Sequence, residues 1–211
     1  MKAVMKSVSP RICEKVANGD CTILVSKTAP KCEVPFKCYI YCTSAKPYLY
    51  KEANPPFELF LDSELYKGKG YDDRLFSGKV IGEFVCDRID KIIPLQHTYY
   101  NYIGLPIANI TEYGIWNDDL AQMCLKKKEI DNYGKGKMLY GWHISDLKIY
   151  DKPKELNEFK TPPCEKSEKA CGNCKWLVKI NTPNVYECEC YVEDGRPITR
   201  PPQSYMYVEE I

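Results

Sequence analysis

The chain has 211 residues, a formal net charge of +1, 44% hydrophobic and 28% charged residues. That is enough apolar material for one domain with a core. It is too little net charge for a long-range field that gathers nucleic acid, so any such binding needs a local patch. No stretch approaches the ~20 apolar residues that span a bilayer, and the first ten residues lack the apolar run of a secretory signal.

Residues 3–8 predict a first strand. Ser9 then serves as an N-cap and Pro10 as the first helical residue. Ile12, Cys13, Val16 and Ala17 recur at helical spacing, and Gly19 closes the helix. A second strand is expected over 21–27. A third, over 36–43, alternates Phe36, Cys38, Ile40 and Cys42 with Lys37, Tyr39, Tyr41 and Thr43. Residues 44–77, rich in Lys, Tyr, Pro and Gly, read as a surface loop or insertion.

A fourth strand starts at Gly78. Simple alternation puts Val80, Gly82, Phe84 and Cys86 on one face and Ile81, Glu83 and Val85 on the other; Gly82 in its middle predicts a bulge or a close backbone approach. Asn117 caps a short helix containing Leu120, Met123 and Cys124, ending near Gly134. Residues 137–150 predict a long strand bent at Gly141 or Ser145. A last strand follows in "PPQSYMYVEE", 201–210. Short strands, few helices and no βαβ repeat point to an α+β fold on a closed or nearly closed barrel. The barrel takes residues 1–160 and 197–211, and a Cys-rich unit over 161–196 is inserted before the last strand.

Twelve cysteines in a chain of this size, several inside strand patterns, point to a reducing cytoplasm where clustered thiols bind metal. Cys171-x2-Cys174 forms a knuckle around Gly172 and Asn173. Cys188 and Cys190 share one face of a strand. Four thiolates suit a tetrahedral, structural Zn²⁺. Cys164 is a spare ligand, and a hairpin of reduced thiols is the alternative. Trp176, Leu177 and Val178 supply little core for a unit of about thirty residues, which favours zinc.

Four segments, "SVSPRICEKVANGDCTILVSKT", "GKVIGEF", "GWHISDLKIYDKPKEL" and "RPPQSYMYVEE", together resemble the ASCH (activating signal cointegrator homology) family. ASCH domains are β-barrels related to the PUA RNA-binding domain, and the resemblance is to the phage and prophage type of Gram-positive bacteria. It implies a PUA-like barrel and a pocket beside Pro10. Gly19, Lys27, Lys31, Glu83, Gln203 and Ser204 match the family pattern. Cys21 stands where the family has Lys, Leu24 where it has Glu, Ser26 where it has Arg, and Ala29 where a second Arg is frequent. Ile12 replaces an early aromatic, and Tyr205 and Met206 replace Trp-Cys.

Some ASCH proteins resemble acetylcytidine amidohydrolases, with a Lys, a Thr and a Glu at the pocket. That chemistry needs an activated nucleophile and a charge for the oxyanion. Here Glu83 lacks those partners, so the resemblance implies a noncatalytic pocket of Pro10, Cys21, Leu24, Ser26, Lys27, Glu83, Gln203 and Ser204. It would bind RNA, a nucleotide or another small molecule, with Arg196 and Arg200 for phosphates. The rival is a phage-encoded inhibitor that binds a host defence protein; the amidohydrolase is a second alternative. Cys21 reads as a small apolar strand residue rather than a nucleophile. Trp142, Trp116 and His143 are either core and hydrogen-bonded residues or ligand contacts.

Overall fold

The structure is a computed structural model that describes residues 2–56, 58–68, 70–100, 106–113, 117–162, 177–179, 186–188 and 195–211. Of Lys2, 96–100, 106–113, Asn117, 177–179 and 186–188 only the backbone is described.

Strand β1 (Lys2–Val8) leads into helix α1 (Pro10–Ala17). Ser9 has the extended backbone of an N-cap although its side chain makes no capping bond, Pro10 opens the helix, and Gly19 follows at φ +80°. Strands β2 (Ile23–Ser26) and β3 (Phe36–Cys42) come next. The segment read as a surface loop contains a hairpin, β4 (Tyr48–Lys51) with β5 (Leu59–Asp62). Its Leu49, together with Phe76, is fully buried in the main core. Scattered Pro, Gly and Lys hid two four-residue strands whose burial depends on contact with the rest of the fold.

Strand β6 (Val80–Cys86), β7 (Ile89–Ile92) and the ribbon β8 (Pro94–Tyr100) with β9 (Pro106–Tyr113) follow. The single helix expected over 117–134 is two, α2 (Asn117–Gln122) and α3 (Lys127–Gly134), separated by Cys124 at φ +51°. The bend in the long strand is a break at Ile144 between β10 (Leu139–His143) and β11 (Ser145–Lys154). Strands β12 (Leu177–Lys179) and β13 (Tyr186–Cys188) pair antiparallel in the Cys-rich segment, and β14 (Tyr205–Glu209) ends the sheet.

The fold is sheet-dominated. Five strands run in the order β11–β6–β3–β1–β14, with only β1 and β3 parallel. Three antiparallel strands, β2–β10–β7, form a second sheet. The chain crosses between sheets twice side by side, from β6 to β7 and from β10 to β11, so one corner is continuous. The opposite seam, between β2 and the β1/β14 edge, carries no strand pairing among the described residues. Side chains cross it instead: Ser26 Oγ lies 3.4 Å from Ser204 Oγ, Tyr205 donates to Ala29 O at 2.9 Å, and Lys31 N–H donates to Tyr207 Oη at 2.7 Å. Among the described residues the barrel is therefore not closed.

The main core lies between the sheets and under α1. The inward face of β3 (Phe36, Cys38, Ile40, Cys42) meets Val4, Val8, Val16, Leu24 and Trp142. The alternate face of β1 and β3 (Ala3, Met5, Tyr39, Tyr41) is covered by Phe159 and Ile198. Helices α2 and α3 and the turn between them cover the outer face of the small sheet through Leu120, Met123 and Ile130. Gly82 is both bulge and close approach. The register with β3 slips next to it, and a Cβ there runs into the Lys148 carbonyl oxygen. The slip turns Ile81 into the main core with Phe84 and Cys86 and sends Val80 to the other face, against the simple alternation.

Candidate functional site

A cavity of about 380 Å³ opens at the unclosed seam. Its walls come from the end of β1 and start of α1 (Lys6, Ser7, Val8, Ser9, Ile12), from β2 (Ile23, Leu24, Val25), and from α3 with the turn before it (Met123, Leu125, Glu129, Tyr133). Most of that lining is apolar. The volume falls in the ~300–1,000 Å³ range of small-molecule sites.

The polar group at its floor is Lys6. It shares the inward face of β1 with Val4 and Val8 and is only 4% exposed. Its Nζ sits 4.3 Å from the ring centroid of Trp142, and Cys38 and Cys86 are the ionisable groups closest to it in effect. Burial pulls its pKa down to about 8, opposed by those two thiols. Among the described residues no carboxylate pairs with it and no carbonyl accepts from it. Trp142 meets Phe36 edge-on at 5.8 Å and the tilted ring of Tyr205 at 5.5 Å, and its Nε1 is buried without a partner. The sequence reading missed Lys6. The signal was present, since a lysine in register with two inward valines is not a surface lysine.

The residues named from sequence are brought together only in part. Leu24 lines the cavity. Pro10 is buried beside the lining residue Ser9. Lys27 stands over the Tyr133 ring at 4.6 Å, at the α3 wall. Ser26 is fully buried behind the seam, bonded to Ser204. Ser204 O accepts from Ser7 N–H at 2.9 Å, and Ser7 Oγ donates to Pro202 O at 2.6 Å, which ties the segment around the exposed Gln203 to β1. Ala29 lines a separate, shallower depression with Cys32, Lys91 and Tyr140.

Cys21 does not face the cavity. Its Sγ donates to Ile23 O at 3.5 Å, and burial and the neighbouring Cys124 push its pKa up to about 12. A thiol held protonated is not a nucleophile at neutral pH. Glu83 pairs in register with Tyr39, so it lies on the opposite face of the five-stranded sheet from Leu24. There Tyr150 donates to its carboxylate at 2.6 Å and Lys37 lies 3.9 Å away. Burial, then that bond, pushes the Tyr150 phenol well up. The Glu83 carboxylate thus shares no pocket with positions 21 and 24.

Arg196 and Arg200 lie in the loop before β14 and do not line the cavity. His143 faces away from Trp142, into a second concavity of about 300 Å³, where Nε2 lies 2.7 Å from Asp90 Oδ2 and 3.1 Å from the Arg88 guanidinium. Cys164, Cys171, Cys174, Cys190 and Trp116 lie outside the described residues, and of Cys188 only the backbone, paired with Leu177, is described. No group of three or more metal-ligating side chains forms among the described residues, and no described helix is long and apolar enough to cross a membrane.

No protein-family profile matches the chain, and no curated protein matches it in sequence. Among solved structures, the chain is similar to the ASCH protein of Zymomonas mobilis, at 12% identity and a TM-score of 0.44 over 74% of this chain and 77% of that one. Two point mutants of that protein align at 13% and 12% identity, each with a TM-score of 0.41, over 75% and 74% of this chain and 78% of theirs.

Proposed function

We propose that this chain is a noncatalytic, ASCH-type PUA-like binding module of the cytoplasm that takes a nucleotide or another small molecule in the seam cavity. The observation that carries the reading is the cavity itself. It is concave, about 380 Å³, with Leu24 where the resemblance expects an acid, and among its described lining residues no nucleophile is hydrogen-bonded to a base. The four sequence segments that resemble ASCH domains support the family, and the sheet-dominated fold is in keeping with it. Fold analogy alone is a weak guide to function, so the reading rests on the site. The separation of Glu83 from Leu24 speaks against the amidohydrolase alternative.

The test is calorimetry and thermal shift with nucleosides, nucleotides and short RNA, on the native chain and on Leu24→Trp, which fills the cavity. Saturable binding that raises Tm and is lost in Leu24→Trp is the expected result. Retention that falls steeply with salt and depends on Arg196 and Arg200 would extend the site to RNA. A stable complex with a host defence protein, unaffected by nucleotides and by Leu24→Trp, would favour the inhibitor reading instead. A structural zinc on Cys171, Cys174, Cys188 and Cys190 is part of the proposal. Metal analysis of the purified chain is expected to give about one equivalent.

A further inference from the structure

We propose that Lys6 is an anion anchor, so that the seam cavity selects a compact ligand with an apolar or aromatic body and one carboxylate or phosphate end. The inference deepens the pocket reading above and rests on it.

Buried lysines are rare unless paired. This one is 4% exposed, lines a cavity, and has no carboxylate or carbonyl partner among the described residues. At a pKa of about 8 it is still protonated at neutral pH. An unpaired buried cation leaves a large desolvation cost standing. The Trp142 face recovers only part of it. A ligand anion entering the cavity would complete the ion pair in a low-dielectric setting, where a charged hydrogen bond is strongest. Trp142, whose ring lies under the ammonium, carries a buried indole N–H without an acceptor, but it does not itself line the cavity. The unpaired donor on the lining is the Lys6 ammonium, and it points to an acceptor-bearing ligand.

The rest of the wall sets the other end of the ligand. Val8, Ile12, Leu24, Val25 and Leu125 offer an apolar surface to the body of the ligand, with Ser7, Ser9 and Tyr133 as the neutral polar residues of the same lining. Glu129 is the acid on the lining, and its carboxylate accepts from Lys126 N–H at 2.7 Å as the cap of α3. Its charge is directed at its own helix end, yet it disfavours a second negative charge near the mouth. One anion at the floor and an apolar body above it is the charge pattern this wall accepts.

The test compares matched probes on the full chain by calorimetry: AMP against adenosine for a phosphate, and indole-3-acetate against indole-3-acetamide for a carboxylate. In at least one pair the charged member is expected to bind ten-fold or more tighter. The pair that shows the difference identifies which anion is used. Lys6→Met is expected to erase that difference while keeping the affinity of the neutral member, and Lys6→Arg to keep part of it. Circular dichroism and melting of each variant control for folding. Equal affinity within both pairs, or a charge preference that survives Lys6→Met, overturns the anchor while leaving the cavity reading intact, provided Leu24→Trp still abolishes binding. No binding by any of the four probes at millimolar concentration overturns both.

Discussion

Replacing Lys6 with Met is expected to stabilise the free protein, by an amount that depends on pH. Lowering the ammonium pKa from 10.5 to about 8 corresponds to about 3 kcal/mol of stability withheld at neutral pH. The contact with Trp142 returns about 1–2 kcal/mol of that. Methionine fills a similar volume without a charge. The net gain at pH 7 is therefore about 1–2 kcal/mol, or about 2–8 °C in Tm for a chain of this length. The sign follows from proton binding. Between about pH 8 and 10.5 the unfolded lysine is protonated and the folded one is not, so the wild type gains stability as pH rises through that window. The advantage of Lys6→Met is thus full below pH 8 and closes towards pH 10.5. Cys38 and Cys86, Tyr205 across the β1–β14 pair, and Glu129 and Tyr133 on the cavity wall all face this region. The buried Cys38 and Cys86 thiols, pushed up by burial, make both proteins less stable above the ordinary thiol range, which is why the difference between the two proteins is the quantity to read. Urea unfolding of both from pH 6 to 10 measures it. A variant no more stable than wild type at pH 7, or a gap that does not narrow above pH 8, refutes the argument that Lys6 is a buried, unpaired cation.

Gly82→Ala drives a methyl into the Lys148 carbonyl oxygen, which is backbone and cannot turn aside; a loss of about 2–3 kcal/mol is expected in denaturant unfolding. Glu83→Gln leaves ligand affinity unchanged, because the carboxylate lies across the sheet from the cavity; a tenfold loss of affinity in calorimetry would contradict that placement. Tyr150→Phe removes the 2.6 Å bond to the same carboxylate and costs about 1–3 kcal/mol, read as a lower urea midpoint. Chelation of the proposed zinc is expected to be felt in the Cys-rich segment, with hydrogen exchange rising there and protection of β1, β3 and β6 kept.

Period-two alternation made β3 legible, because both of its faces are buried against different layers and the chain writes them with different residues. The start of α1 was legible from Ser9 and Pro10, and the close approach at Gly82 from a glycine where a side chain belonged. What followed from that glycine was not. The bulge it permits reassigns Ile81, and a register slip leaves no trace in a run of apolar residues. The hairpin in 44–77 was missed because four-residue strands carry little periodicity. The split of α2 from α3 turns on Cys124 in a left-handed conformation, which no local propensity favours. At the site, position 24 was legible through family resemblance. Lys6 was not, because no matched or replaced position of the family pattern falls on β1, and only its register with the inward Val4 and Val8 marks it as buried.

The outermost strand β14 is laid on β1 from Lys2↔Glu209 to Lys6↔Tyr205, about as distant in sequence as two strands of this chain can be. During synthesis at ~5–20 residues per second, β1 waits roughly 10–40 s for its partner. Loop-closure entropy and high contact order slow that last pairing further. Until it forms, one side of β1 is a bare sheet edge, open to any passing extended segment. The nascent chain is accordingly most vulnerable to aggregation late, when all but its final strand is in place.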